Sequence, residues 1–168
     1  MKKEVIVIIC CDTEPDRPEY GGVSYNTHRG KHTWRGVEEG IPKAREIASS
    51  VEDSEGRNAK ITWFLRSDDQ MNELYGNYAW MVKEFMDLWK ELEREGEEIG
   101  WHPHFWRWDG NSNTWYPELE DGRWMENCLE KGYTSFLEHF NPTSVRMGWD
   151  FSNNFIMRKL NDLGIMVD

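Results

Sequence analysis

Apolar residues fall in short runs and helical stripes, and each run ends in a polar cluster. Residues 5–11 form an unbroken, largely β-branched apolar run, the pattern of a parallel strand buried on both faces. It stops at Asp12-Thr13-Glu14-Pro15-Asp16. From there to about residue 36 the chain is polar and punctuated by glycine, which predicts a long loop. Loops of that length in compact domains are usually functional or disordered. Pro42 suits the first turn of a helix, and Ala44, Ile47, Ala48 and Val51 follow at helical spacing, predicting a helix over 41–50. Residues 60–65 read as the next strand, ending at Arg66-Ser67-Asp68-Asp69. A long amphipathic helix is predicted over 78–95, with Met81, Phe85, Leu88 and Leu92 on one face and Gly96 as its stop.

Residues 98–101 form a short predicted strand that runs into His102-Pro103-His104. A tryptophan- and asparagine-rich loop follows over 105–122, then a helix over 125–140 that Gly132 weakens. Residues 144–147 read as a strand ending at Gly148-Trp149-Asp150. Ser152 is the predicted N-cap of a helix through 163, closed by Gly164, and 165–167 open a last strand. The alternation predicts an α/β fold of about five parallel strands, as an open sheet or a partial barrel with helices outside. Every cluster of chemically capable residues falls at the C-terminal end of a predicted strand. In both architectures that edge is where active sites assemble.

Composition narrows the picture. With 168 residues, 38% hydrophobic and 30% charged, the chain predicts one domain over 1–168. A net charge of -11 with no Lys/Arg cluster argues against nucleic-acid partners and anionic membranes. No stretch reaches membrane-spanning length. Glu4 interrupts the basic start and no small-residue cleavage site follows, so a signal peptide is not expected. Cys10, Cys11 and Cys128 lack CxxC spacing and read as reduced thiols of a cytoplasmic protein. Most of the ten Trp are expected in the core, while those beside the polar motifs offer stacking surfaces for sugar rings.

Asp12 and Glu14 lie two apart at a strand end and point to one side of the sheet; His102 and His104 repeat that geometry two strands later. Two imidazoles and a carboxylate form a facial N/O set suited to zinc or a related divalent ion, with positions left for water and substrate. A second carboxylate outside the metal sphere serves to take a proton from that water. His28 and His32, in the polar loop, are expected to be solvated or part of a lid. His139, near a helix end, is expected to complement the helix dipole.

With these residues in place, the chain resembles the polysaccharide deacetylases of the chitooligosaccharide-deacetylase type. The resemblance rests on Ile8-Ile9-Cys10-Cys11-Asp12-Thr13-Glu14, Thr62-Trp63-Phe64-Leu65, and Glu98-Ile99-Gly100-Trp101-His102-Pro103-His104. Val145-Arg146-Met147-Gly148-Trp149 and Asn161-Asp162-Leu163-Gly164-Ile165 follow in family order. It implies an incomplete or distorted β/α barrel that removes acetyl groups from N-acetylated carbohydrate with a divalent metal, zinc first and manganese, cobalt or nickel as alternatives. By position, Asp12 is the implied general base, and Glu14, His102 and His104 the metal ligands. Arg146 orients and ionises Asp12. Trp149, Gly148 and Trp106 are the implied substrate contacts, with a nearby backbone N–H for the oxyanion.

Three departures accompany the resemblance. Many members place the two histidines four apart, a position held here by Trp106, and many have Asp where this chain has Glu14. The chain also stops before the strands that complete the family barrel and supply its general-acid histidine. An open barrel edge of that kind invites a partner chain or homo-oligomer. The alternative expectation is therefore a catalytically weak or inactive domain that binds carbohydrate or a partner chain. A phosphoesterase is disfavoured, because no glycine-rich phosphate loop or Lys/Arg cluster is present.

Overall fold

The computed structural model describes residues 5–167, and their side chains as far as Ile165. Strands β1 (Ile9–Thr13), β2 (Ile61–Arg66), β3 (Glu98–His102), β6 (Ser144–Val145) and β7 (Met166–Val167) form one sheet, with β4 (Trp106–Asp109) and β5 (Thr114–Pro117) in a separate hairpin. All pairings in the large sheet are parallel, in the order β1-β2-β3-β6-β7. Each strand is laid beside its predecessor, so the order never reverses. The expected mixed α/β class with helix-covered parallel strands is therefore what the chain adopts.

Alternation along the strands divides the sheet into two unlike faces. Ile61, Trp63, Leu65, Ile99, Trp101 and Val145 join one buried cluster. It includes Met81 and Val82 of α3 (Trp80–Glu84) and Trp89 and Leu92 of α4 (Met86–Arg94). Cys128, Leu129 and Phe136 of α5 (Gly122–Leu137) and Ile156 and Leu160 of α6 (Asn154–Asp162) complete it. Each such fully buried large side chain contributes about 1.5–3 kcal/mol of transfer free energy. The opposite face carries Cys10, Thr62 and Glu98 in one row of partners and Asp12, Phe64 and Gly100 in the next. It is polar and hydrogen-bonded: Thr62 Oγ1 and Ser144 Oγ both donate to the Glu98 carboxylate, at 3.1 and 2.8 Å.

The structure corrects several expectations. The first strand begins at Ile9, and Val5, Ile6, Val7 and Ile8 are 70–87% exposed rather than buried on both faces. The reason is register: Ile9 pairs with Ile61, where β2 begins, and β1 pairs with β2 alone among the described strands. The predicted helix over 78–95 is two helices, α3 and α4, broken at Phe85 (φ -107°, ψ 29°). The break seats Phe85 edge-on to Trp80 and Trp89, with ring centroids 6.4 and 6.3 Å apart. An additional helix, α2 (Asp69–Tyr75), precedes them, capped by Asp68 and closed by Gly76 in the left-handed region. The segment 105–122 contains the β4–β5 hairpin rather than loop alone, because Trp106-Arg107-Trp108-Asp109 alternates with period two. The last helix takes its N-cap from Asn153, not Ser152. Helix α1 (Ile41–Ser49) forms as expected.

Gly132, which weakens α5 as an isolated helix, is required by packing. A Cβ there would lie 2.7 Å from Ser67 O and 3.2 Å from the Trp101 ring. The close approach lets Ser67 Oγ donate to Gly132 O at 2.9 Å. The long segment after β1 is also tied down. Asp16 is buried and accepts from Arg35 N at 3.1 Å and Gly36 N at 3.0 Å. His32 lies buried beside Tyr25 and His28 rather than solvated. Burial, with the Arg66 and His28 charges, pushes its pKa down to about 4, so it is a neutral core group at physiological pH.

Candidate metal centre

The C-terminal ends of β1, β2 and β3 bring together the residues that chemistry requires. Thr13 pairs with Leu65 and Arg66 with His102, so Glu14, Arg66 and His102 emerge from the sheet at one level. His104 follows two residues after His102. The three ligand atoms converge: Glu14 Oε1 lies 2.6 Å from His104 Nε2 and 3.1 Å from His102 Nε2, and the two imidazole nitrogens are 3.0 Å apart. Such spacings would let one ion reach all three atoms at the ~2.0–2.2 Å bonds zinc makes to N and O ligands. Among the described residues, Glu14, His102 and His104 form the group that could hold a metal ion.

The surrounding hydrogen bonds prepare these atoms. His102 Nδ1 donates to the backbone carbonyl of Arg146 at 2.6 Å, which orients the ring so that Nε2 faces the cluster. Burial lowers the His104 pKa, against the opposing pull of the Glu14 carboxylate. The largest influence on Glu14 is burial, which raises its pKa. The charges of His104 and Arg66, with hydrogen bonds from both histidines, outweigh it and hold the carboxyl well below its ordinary range. Burial likewise pulls His102 down, but its hydrogen bond to Glu14 and the Glu14 charge raise it above an ordinary imidazole.

Gly148 explains how His104 reaches this position. A Cβ at 148 would lie 2.3 Å from His104 Nδ1 and 2.5 Å from two ring carbons. Only a residue without a side chain lets the imidazole pass. The Gly148 N–H is occupied by Pro103 O at 2.9 Å, so it is not the donor an oxyanion would use. Trp149 and Asp150 follow in the left-handed region, at φ 58° and 52°, an uncommon conformation that clusters at functional sites. It sets the Trp149 ring edge-on to His104 at 4.6 Å and to Trp106 at 4.8 Å.

Asp12 and Arg146 meet as the sequence predicts, with Nη1 donating to Oδ1 at 3.1 Å. The guanidinium also sits over the Phe64 ring, 4.8 Å from its centroid. Asp12, Glu14, His102 and His104 line a cleft of about 1100 Å³ with aromatic walls from Tyr25, Trp106, Trp115, Tyr116 and Trp149. The hairpin wall is fastened to the loop after β1: Trp115 N donates to Asn26 O at 2.6 Å and Trp115 Nε1 to His28 O at 3.0 Å. His28, His32 and His139 lie outside the cleft lining.

Arg66 was not foreseen as part of the site. It is 1% exposed, and its Nη1 donates to Glu14 Oε2 at 3.1 Å. Nε and Nη2 hold Asp68 Oδ2 at 2.8 and 2.7 Å, and Nη2 also donates to Gln70 Oε1 at 3.0 Å. The available signal was the polar cluster directly after the second strand. Comparison with protein-family models, curated proteins and solved structures returns no match. No described helix is long and apolar enough to cross a membrane.

Proposed function

We propose that the chain is a metal-dependent hydrolase that removes acetyl groups from N-acetylated carbohydrate or a related small amide. The observation that carries this reading is the Glu14–His102–His104 triangle sharing one aromatic-walled cleft with Asp12, whose carboxylate Arg146 holds at 3.1 Å. The order of the sequence motifs supports it, and the non-reversing parallel strand order is compatible with a partial β/α barrel. Glu14, His102 and His104 are suited to hold a divalent ion, zinc first by donor set. When bound, such an ion acidifies water and polarises a carbonyl oxygen. Asp12 takes the proton as general base, and Arg146 keeps that carboxylate aimed. Trp149 and Trp106 offer a sugar ring an apolar wall.

The test is acetate release from N-acetylated chitooligosaccharides by the zinc-loaded protein. His102→Ala and His104→Ala are expected to abolish both stoichiometric zinc and turnover. Asp12→Asn is expected to keep zinc and lose turnover by at least ~100-fold, the scale of a lost general base. Zinc-free wild-type protein with undiminished turnover overturns the reading. One observation favours a second reading, a carbohydrate-binding domain without turnover: among the described residues the cleft lining holds no histidine besides His102 and His104, so none of them places a third imidazole as general acid. Oligosaccharide binding that survives chelation, without acetate release, selects that alternative.

A further inference from the structure

We propose that Arg66 is a positioning residue that restricts Glu14 to ligating through one oxygen, and thereby sets the coordination number and metal preference of the site. The inference rests on the metal-binding reading of Glu14, His102 and His104, and adds a constraint that the three ligands alone do not contain.

A glutamate at a metal site binds through one oxygen or both, and the choice changes how many positions remain for water and substrate. Here the two oxygens have different neighbours. Oε1 faces the imidazole nitrogens of His102 and His104, at 3.1 and 2.6 Å. Oε2 accepts from Arg66 Nη1 at 3.1 Å. Rotating Glu14 to present both oxygens to an ion would break that charge-assisted bond and leave a buried guanidinium short of a partner, a costly outcome.

The arginine cannot follow such a rotation. Its Nε and Nη2 are fixed by Asp68 and its Nη2 also by Gln70. Asp68 is itself fixed, because its other oxygen accepts from Met71 N at 3.1 Å as the N-cap of α2. Arg66, Asp68 and Gln70 are each 1% exposed, so no solvent path lets the fork swing away. The planar guanidinium passes the position of α2 on to the Glu14 carboxylate, a task the single point charge of lysine does not perform.

A site of two imidazole nitrogens and one carboxylate oxygen suits ions content with four or five ligands, such as Zn²⁺ and Co²⁺. Ions that demand six, largely oxygen, ligands are disfavoured. Arg66 therefore tips the site toward zinc and keeps positions open for the reaction.

The experiment loads wild-type protein with Co²⁺ and reads its visible d–d absorption, which is intense for four- and five-coordinate cobalt and weak for six-coordinate cobalt. Competition titrations with Zn²⁺ and Mn²⁺ give the metal preference. The same measurements are made on Arg66→Lys and on Arg66→Met combined with Asp68→Asn. That pair removes both buried charges together, and the amide still serves as an N-cap. Wild type is expected to show intense bands. In the double variant the bands weaken and the zinc-over-manganese preference falls by about 10- to 100-fold, the usual effect of losing an outer-shell partner. Arg66→Lys falls between. A role in stability alone would lower the melting temperature while leaving the cobalt spectrum of the folded fraction unchanged, and that result overturns the proposal. Weak, six-coordinate bands in wild type overturn it too, whether or not the variants fold. Wild-type protein that takes up neither cobalt nor zinc removes the metal reading itself, a separately recognisable failure.

Discussion

At the scale of single residues, Gly148 has the sharpest consequence. Its missing side chain is the space the His104 imidazole occupies. Gly148→Ala is therefore expected to displace the ring and weaken zinc binding by at least ~10-fold, with a loss of stability of about 1–3 kcal/mol from overpacking. Isothermal titration with zinc and a denaturant melt read the two effects separately; unchanged affinity would refute the packing argument. The ligands themselves were legible in the sequence because a period of two at a strand end puts both members of Asp12/Glu14 and of His102/His104 on one side. Arg146 was legible only through motif order. Arg66 was not, because its importance depends on register: nothing in the sequence says that position 66 lies level with 102 and beside 14. Gly148 was singled out for the substrate, whereas its packing role needs the path of the chain after Pro103.

Elements were legible where one periodicity ran uninterrupted and misread where tertiary contacts set the boundary. Helix α1 and strands β2 and β3 fall close to the expected positions. The amphipathic stripe over 78–95 is genuine, yet aromatic packing around Phe85 breaks its backbone into α3 and α4. The hairpin was hidden because its tryptophans sit in a polar, asparagine-rich context, although the alternation of Trp106 and Trp108 with Arg107 and Asp109 was present to be read. Gly132 separates propensity from packing most cleanly. In an isolated helix, Gly→Ala gains about 1 kcal/mol. Here the new methyl meets a backbone oxygen at 2.7 Å, and backbone cannot move aside cheaply. Gly132→Ala is expected to destabilise the protein by about 1–3 kcal/mol in equilibrium denaturation. A stabilised variant would show that α5 does not sit this close to the β2–α2 turn.

For the whole molecule, the Glu14–His102–His104 cluster also links distant parts of the parallel sheet. Among the described strands β1 is paired on one side only, and its preceding apolar residues are exposed. Glu14 at its end meets His102 and His104 beyond β3, across β2 and 88 residues away in sequence for His102. An ion held by all three ties the edge strand into the sheet. Binding to the folded state alone stabilises it by about 2.7 kcal/mol when free metal is 100 times Kd, a rise of roughly 5–10 °C in melting temperature for a chain of this size. The effect depends on pH with a definite sign. Metal and proton compete for His102 Nε2, and Glu14 raises the His102 pKa above an ordinary imidazole. The metal-induced rise is therefore largest above that raised pKa and declines as pH falls through it, beginning at a higher pH than for an isolated histidine. Melting curves with excess zinc and with chelator, taken from pH 8 down to pH 5, should converge toward the acid end. Hydrogen exchange at pH 8 should show β1 as the strand most exposed by chelation. A separation between the curves that is constant with pH, or protection lost uniformly across the sheet, would mean that the ion is not held by the His102 imidazole at the edge-strand junction.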